Sequence, residues 1–198
     1  MVYLKWKRFT DILLSGLGLV FLSPIWIALM IAIKLDSPGP IFFKQKRVGL
    51  RKSHFNILKF RTMRIDTPKD TPTHLLKNPE QYITRTGRLL RKTSLDELPQ
   101  LINILVGEMS FIGPRPALWN QYDLIAERDK CDANNVRPGL TGLAQISGRD
   151  ELNICEKARY DGEYVKNICP KMDLRCFFGT IKYVLSSEGV VEGDTRPK

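Results

Sequence analysis

No Cys-x-x-Cys pair occurs in the chain: Cys131, Cys155, Cys169 and Cys176 are scattered, and the two histidines, His54 and His74, lie far upstream of all four. This spacing excludes an ordinary zinc site and argues against a disulfide framework, so the cysteines read as reduced thiols on a cytoplasm-facing protein. Internal repeats and low-complexity tracts are absent, and no aromatic platform is interleaved with basic residues in the manner of single-stranded nucleic-acid binders. Acidic residues are few, 21 against 31 lysines and arginines, for a net charge of +10. That surplus implies an anionic partner, whether nucleic acid, anionic lipid or a phosphorylated substrate, and does not choose among them. With 198 residues and 43% apolar content, the chain has room for one compact domain and a membrane element.

What is present begins with an apolar run from Ile12 to Ile33 that carries no charged side chain. As a straight helix it would reach roughly 33 Å, enough to cross a bilayer. A simple anchor fits that length, and an uncleaved signal sequence fits Lys5, Lys7 and Arg8, although no small-x-small cleavage site follows. Against simple crossing, Lys34, Lys44, Lys46, Arg47, Arg51 and Lys52 follow the run as closely as the first three cations precede it. Positive residues prefer the cytoplasmic side, so flanks of one sign require the segment to dip in and return. Ser23-Pro24 sits at its midpoint. Proline removes a backbone donor and clashes with the carbonyl four residues earlier, and the serine hydroxyl can satisfy a freed carbonyl. Both a re-entrant helix-break-helix and a kinked span satisfy these constraints.

Asp36-Ser37-Pro38-Gly39-Pro40 ends the segment, which places a membrane element at residues 1–37 and a soluble domain at 38–198. Ile41–Phe43 and Phe55–Met63 read as the strands of a β-hairpin, with Arg47–Lys52 as the turn. The prolines between Asp66 and Glu80 predict an exposed loop or lid. Helices are expected over Thr84–Leu90, from Ser94 through Leu105, over Ala117–Lys130, over Glu151–Lys166 and over Asp173–Ser186. The glycine-rich passage Val136–Gln145 reads as a loop or a short extended segment. The last helix carries Phe177, Phe178, Ile181, Val184 and Leu185, a face that suits either a lipid surface or ordinary core packing. The fold class is therefore α+β and helix-rich, with surface amphipathic helices around a small hairpin.

The most informative stretch is Ser94-Leu95-Asp96-Glu97-Leu98-Pro99-Gln100, followed by Gly113-Pro114-Arg115-Pro116. Ser94 and Glu97 match a capping box, and Asp96 suits a first helical turn. The surroundings raise a chemical reading: Arg85, Arg88, Arg91 and Lys92 precede the acids, and Arg115 follows between two prolines. Asp96 has the character of a nucleophile toward phosphorus, provided that a divalent cation and guanidinium groups neutralise the phosphate oxygens. Glu97 is a hard oxygen ligand suited to Mg²⁺. Asp161 supplies either another carboxylate or a solvated acid on an amphipathic helix. Lys59 and Arg61, two apart on a predicted strand, share one face and point together at phosphate or at water.

With these passages assembled, the chain resembles the bacterial sugar transferases of the small monotopic phosphoglycosyl transferase family. The matching residues are Lys7-Arg8 with Asp11, Leu22-Ser23-Pro24, Ser37 to Gln45 with Arg47 and Gly49, Lys59-Phe60-Arg61-Thr62-Met63, Asp96-Glu97, Gly113-Pro114-Arg115-Pro116 and Arg137-Pro138-Gly139-Leu140-Thr141-Gly142, in the family's order from about Lys5 to Leu185. The resemblance implies transfer of a sugar 1-phosphate from a UDP-sugar to a polyprenol phosphate such as undecaprenyl phosphate, with UMP released. It further implies a covalent phosphosugar intermediate on Asp96, Mg²⁺ held by Glu97 and Asp96, and active-site roles for Lys59 and Asp161. Arg91, Arg115 and Arg137 follow as phosphate or nucleotide contacts, and Arg61 joins them as a substrate-binding candidate from its strand position. A bacterial inner (cytoplasmic) membrane location, a re-entrant helix broken at Ser23-Pro24 and a catalytic domain facing the cytoplasm are also implied. Leu143 stands where many relatives have tryptophan, and the loop from Asp66 to Gln81 is individual to this chain.

Two other readings share some of these features. A membrane-anchored basic binding protein would use the charge and the anchor and leave Asp96-Glu97 as a helix cap. A one-step transferase would use Asp96 only to bind metal. Nucleic acid is not expected as a partner, because phosphosugar chemistry already accounts for the arginines, while a homo-oligomer is among the states the sequence leaves open.

Overall fold

The computed structural model describes residues 2–68, 78–148 and 151–186, without the side chains of 79 and 183–186. Most of the expected 66–80 loop, the Val184 and Leu185 side chains and the C-terminal residues therefore lie outside the described part. The N-terminal third forms α1 (Val2–Phe21) and α2 (Ser23–Asp36), whose axes bend by 63° at Leu22. Among the described residues, no single helix is long and apolar enough to cross a membrane. The apolar run is thus shared by two helices, and the straight 33 Å span does not form. Pro24 occupies the first turn of α2, where its missing N–H costs nothing. The Ser23 hydroxyl donates to the Val20 carbonyl at 2.7 Å, satisfying the oxygen that the proline leaves without its usual partner.

The hairpin pairs β1 (Phe42–Val48) with β2 (His54–Phe60), antiparallel, with Phe43 opposite Lys59 and Gln45 opposite Ile57. The first strand runs further than Ile41–Phe43, because its polar residues Lys44, Gln45 and Lys46 alternate between the two faces. The turn is correspondingly shorter, with Arg51 and Lys52 at positive φ. Next come α3 (Arg85–Lys92), a 3₁₀ turn at Leu95–Glu97, α4 (Gln100–Val106), β3 (Ser110–Ile112) and α5 (Tyr122–Asp129). Then follow β4 (Gly139–Thr141), α6 (Leu143–Ile146), α7 (Ile154–Lys166) and α8 (Pro170–Ser186). β3 and β4 form a short parallel pair, so the glycine-rich passage is extended over Gly139–Thr141 and then turns into a helix that its glycines concealed.

Apolar clusters tie the two N-terminal helices to the domain. Phe55, Ile57, Leu101, Ile104 and Met109 form one buried group, against which Leu19 and Leu22 pack. Ile33, Phe60 and Leu90 form another, flanked by Trp26, Phe42, Leu95 and Leu98, with the Phe42 and Phe60 rings stacked 5.6 Å apart. Leu95 and Leu98 are held in this second cluster, so the acids between them are fixed at its margin. A third group joins Ile112, Leu143, Tyr164 and Cys176 across β3, α6, α7 and α8.

Candidate active site

The helix expected to start at Ser94 does not start there. Ser94 is left-handed, with φ of 56°, and makes no side-chain cap, while α4 begins only at Gln100. The capping-box reading is therefore overturned, and the Glu97 carboxylate is directed elsewhere. Its Oε1 accepts from Lys59 Nζ at 2.7 Å and from an Arg115 terminal nitrogen at 2.6 Å. Lys59 Nζ also lies 3.7 Å from Asp96 Oδ2. One lysine near the end of β2 thus spans both acids of the 3₁₀ turn, and the proline-bracketed arginine closes the other side.

The two neighbouring acids titrate apart. Burial raises Glu97, but Arg115 and Lys59, by charge and by hydrogen bond, outweigh it and hold this carboxyl well below the usual range. For Asp96, burial dominates and raises the pKa, aided by the like charge of Glu97 and opposed by Lys59, Arg91 and Arg115. Side-chain cations, and not the start of an α-helix, are what oppose burial of the Asp96 carboxylate. Glu97 is a fixed anion, and Asp96 is the less compensated of the pair, so it gains most from an added positive charge.

Arg91 lies on α3 beside the site, its Nε donating to Thr62 Oγ1 at 3.0 Å and a terminal nitrogen reaching Met63 Sδ at 3.1 Å. Its charge acts on Asp96. Gly87 on the same helix touches the Thr62 backbone so closely that a Cβ there would collide with the carbonyl. This contact sets α3 against the end of β2.

Asp161 is not among the exposed acids. It is 1% exposed on α7, and its Oδ2 accepts both Nε and a terminal nitrogen of Arg128, at 2.8 and 2.6 Å. The same guanidinium donates to the Arg115 backbone carbonyl at 2.9 Å. Asp161 thus meets the Arg115 loop through Arg128 and does not meet Asp96-Glu97 directly. From the other side, Arg47 donates to the Pro116 carbonyl at 3.0 Å and to Gln45 Oε1 at 2.6 Å. Burial, together with the like charge of Arg115, lowers the Arg47 pKa against the pull of Glu97. Arg128 was not singled out in the sequence, where it is one basic residue in an unremarkable helix. Arg47 stood in a matching passage without a role.

Arg61 and Arg137 are turned to other partners. Arg61 lies beyond the end of β2, so it does not share the strand face of Lys59. Its terminal nitrogens donate to the carbonyls of Pro38 and Ser37 at 2.6 and 2.7 Å and to the Ser37 hydroxyl at 2.9 Å, closing the C-terminal end of α2. Arg137 Nε donates to the Gly107 carbonyl at 2.9 Å, at the far end of α4 from the acids. The Arg8 guanidinium meets the same end through the carbonyls of Ile104 and Leu105 at 2.6 and 2.8 Å.

Mg²⁺ characteristically takes one or two carboxylates, with substrate phosphate and water completing its shell. Asp96 and Glu97 fit that pattern, and no group of three or more His, Cys, Asp or Glu side chains arranged to hold a metal occurs among the described residues. An all-protein cage is thus not what these residues build.

Sequence comparison places this arrangement in a lineage. The chain is 40% identical over 184 residues to the uncharacterized sugar transferase EpsL of Bacillus subtilis (strain 168), covering 93% of this chain and 89% of that protein. It is 38% identical to the exopolysaccharide production protein ExoY of Sinorhizobium fredii (strain NBRC 101917 / NGR234), covering 92% and 87% of the two chains. It is also 39% identical to the UDP-glucose:undecaprenyl-phosphate glucose-1-phosphate transferase of Escherichia coli (strain K12), matching 88% of this chain but 39% of that longer protein. The bacterial sugar transferase model matches residues 2–187, through both N-terminal helices and the site, and the chain belongs to that family.

Proposed function

We propose that the protein transfers a sugar 1-phosphate from a UDP-sugar to undecaprenyl phosphate, or a related polyprenol phosphate, releasing UMP and forming a polyprenyl-diphosphate-linked sugar. The observation that carries this reading is the acidic pair divided by its environment, with Glu97 fixed as an anion between Lys59 and Arg115 and Asp96 left beside it. Relatives named as UDP-glucose:undecaprenyl-phosphate transferases supply the substrate classes.

In the first step, an Asp96 carboxylate oxygen attacks the sugar-bearing phosphorus. The bond from that phosphorus to the bridging oxygen breaks, and UMP departs with the electron pair. Arg115 and Arg91, whose charges already act on Asp96, would balance charge on the phosphoryl oxygens. In the second step, a phosphate oxygen of the polyprenol attacks the same phosphorus, the acyl-phosphate bond breaks, and the Asp96 carboxylate is restored. Lys59 holds Glu97 and steadies the anionic form of Asp96 in both. Asp161 acts through Arg128 on the Arg115 loop. Mg²⁺, held by Asp96 and Glu97, would supply charge neutralisation that lets one anion approach another.

The bend between α1 and α2 supports a re-entrant element over residues 1–37, with the domain from 38 onward on the cytoplasmic face of the bacterial inner membrane. The exposed apolar side chains of both helices, among them Trp6, Phe9, Leu13, Leu17, Phe21, Ile27 and Ile31, suit lipid. The test is UMP release from a panel of UDP-sugars with undecaprenyl phosphate and Mg²⁺. Multiple-turnover release that needs both metal and lipid acceptor, and that is lost in Asp96→Asn, is the expected result. UMP formation by Asp96→Asn at the parental rate would remove the aspartate from the chemistry.

A further inference from the structure

At the end of α4 opposite the acidic pair, the first turns of α1 close over β3 and the segment that precedes β4 to leave a cavity of about 120 Å³. Its walls include Lys7, Arg8, Asp11, Ser110, Arg137 and Tyr164. We propose that this cavity is a second anion site, built for a single phosphate-type oxyanion and separate from the catalytic acids.

Three observations carry the assignment. First, Ser110 is a wall residue that is 2% exposed, and its buried hydroxyl has no hydrogen-bond partner among the described residues. A buried hydroxyl without a partner is destabilising, a penalty that a ligand acceptor removes. Second, Arg137 uses only Nε, on the Gly107 carbonyl, and its two terminal nitrogens make no hydrogen bond among the described residues. Third, the charges are unbalanced. Lys7 is matched by Asp173 at 2.6 Å, while Arg8 and Arg137 both converge on Gly107 and repel each other, with Asp11 as the carboxylate between them and neutrality. Asp11 Oδ1 is itself engaged by the Phe111 N–H at 3.1 Å. One extra negative charge closes the account.

Size and position narrow the ligand. The volume holds a phosphate group and not a nucleotide. The helix that forms one wall turns Trp6 and Phe9 outward, 62% and 56% exposed, so the cavity lies beside the surface that carries the lipid-facing side chains. A phosphodiester headgroup of an anionic lipid and free inorganic phosphate present the same oxygens. Either would bridge α1 to the domain through Arg137 and Ser110 and relieve the repulsion between the two arginines.

The experiment is equilibrium dialysis of radiolabelled inorganic phosphate against the full chain in detergent micelles, with dioctanoyl-phosphatidylglycerol as competitor. Parent, Arg137→Met, Ser110→Ala and Arg115→Met are compared. The expected result is a phosphate site retained in Arg115→Met, weakened ~10-fold or more in Arg137→Met by loss of charge-assisted bonds, and weakened several-fold in Ser110→Ala. Arg137→Lys, which keeps the charge, recovers part of the affinity if the first variant has merely lost its fold. Displacement by the short-chain lipid at lower concentration than by phosphate identifies a headgroup, and its failure to displace identifies the free anion. Binding that disappears in Arg115→Met and survives in Arg137→Met would overturn the inference and leave the transferase reading intact. A parent that binds neither probe would also overturn it.

Discussion

Lys59 governs the acidic pair because a single ammonium lies within reach of both carboxylates, 2.7 Å from Glu97 and 3.7 Å from Asp96. Its positive charge favours the Asp96 anion, so its removal raises the Asp96 pKa, which burial has already pushed up. If the anion is the nucleophile, the acid limb of kcat/KM in the parent lies above the ordinary aspartate pKa of 3.8. In Lys59→Met that limb moves to higher pH, read from the pH profile of the residual activity, whereas an unmoved or lowered limb would contradict the assignment. The sequence made the two acids and Arg115 legible through spacing and company. It misread the backbone beneath them, because a serine three residues before a glutamate looks the same whether it caps a helix or, as Ser94 does, sits left-handed before a 3₁₀ turn.

At the scale of elements, the Arg115 loop is gripped between α5 and β1: Arg128 holds the Arg115 carbonyl and Arg47 holds the Pro116 carbonyl. Asp161 on α7 anchors Arg128 from behind, in a pair only 1% and 7% exposed. Arg128→Met leaves the Asp161 carboxylate buried without its partner and is expected to cost about 3–5 kcal/mol in urea unfolding. Arg128→Met combined with Asp161→Leu recovers most of that stability, because no charge is then buried alone, yet transfer stays low because the Arg115 carbonyl still lacks its donor. Recovery of activity together with stability would show that the pair serves the fold alone. Such a relay was not readable beforehand, since nothing local in the chain marks Arg128 as the partner of Asp161. Arg61 shows the converse failure: strand alternation extrapolated one residue past Phe60 placed it beside Lys59, whereas the chain has already turned toward α2. The helices with strong local signals were recovered more closely, as in α7, where Asn153 and Glu156 form the capping box that Ser94 and Glu97 do not. The short α6 was hidden in a glycine-rich passage.

For the whole molecule, the bent helix pair and the domain form one packed unit, with Leu19 and Leu22 against the β2 and α4 core and Trp26 against Phe42 and Phe60. The broken apolar run was legible from Ser23-Pro24 and the like-signed flanks, but which surface α1 would pack against was not, because that depends on contacts distant in sequence. A re-entrant path places both ends of the helix pair on one side of the membrane. In sealed vesicles, Val2→Cys should therefore be labelled by an impermeant thiol reagent under the same conditions as the exposed Cys155. Labelling of the two positions from opposite sides would mean that the pair spans. Chemistry at Asp96 is read by mass spectrometry of the protein quenched rapidly after mixing with UDP-sugars and Mg²⁺. Without lipid acceptor, the Asp96 peptide is expected to gain one sugar phosphate, to lose it when undecaprenyl phosphate is added, and to remain unmodified in Asp96→Asn. Acceptor-dependent UMP release with no adduct on that peptide at any quench time would contradict the covalent route and leave Asp96 a ligand in a one-step transfer.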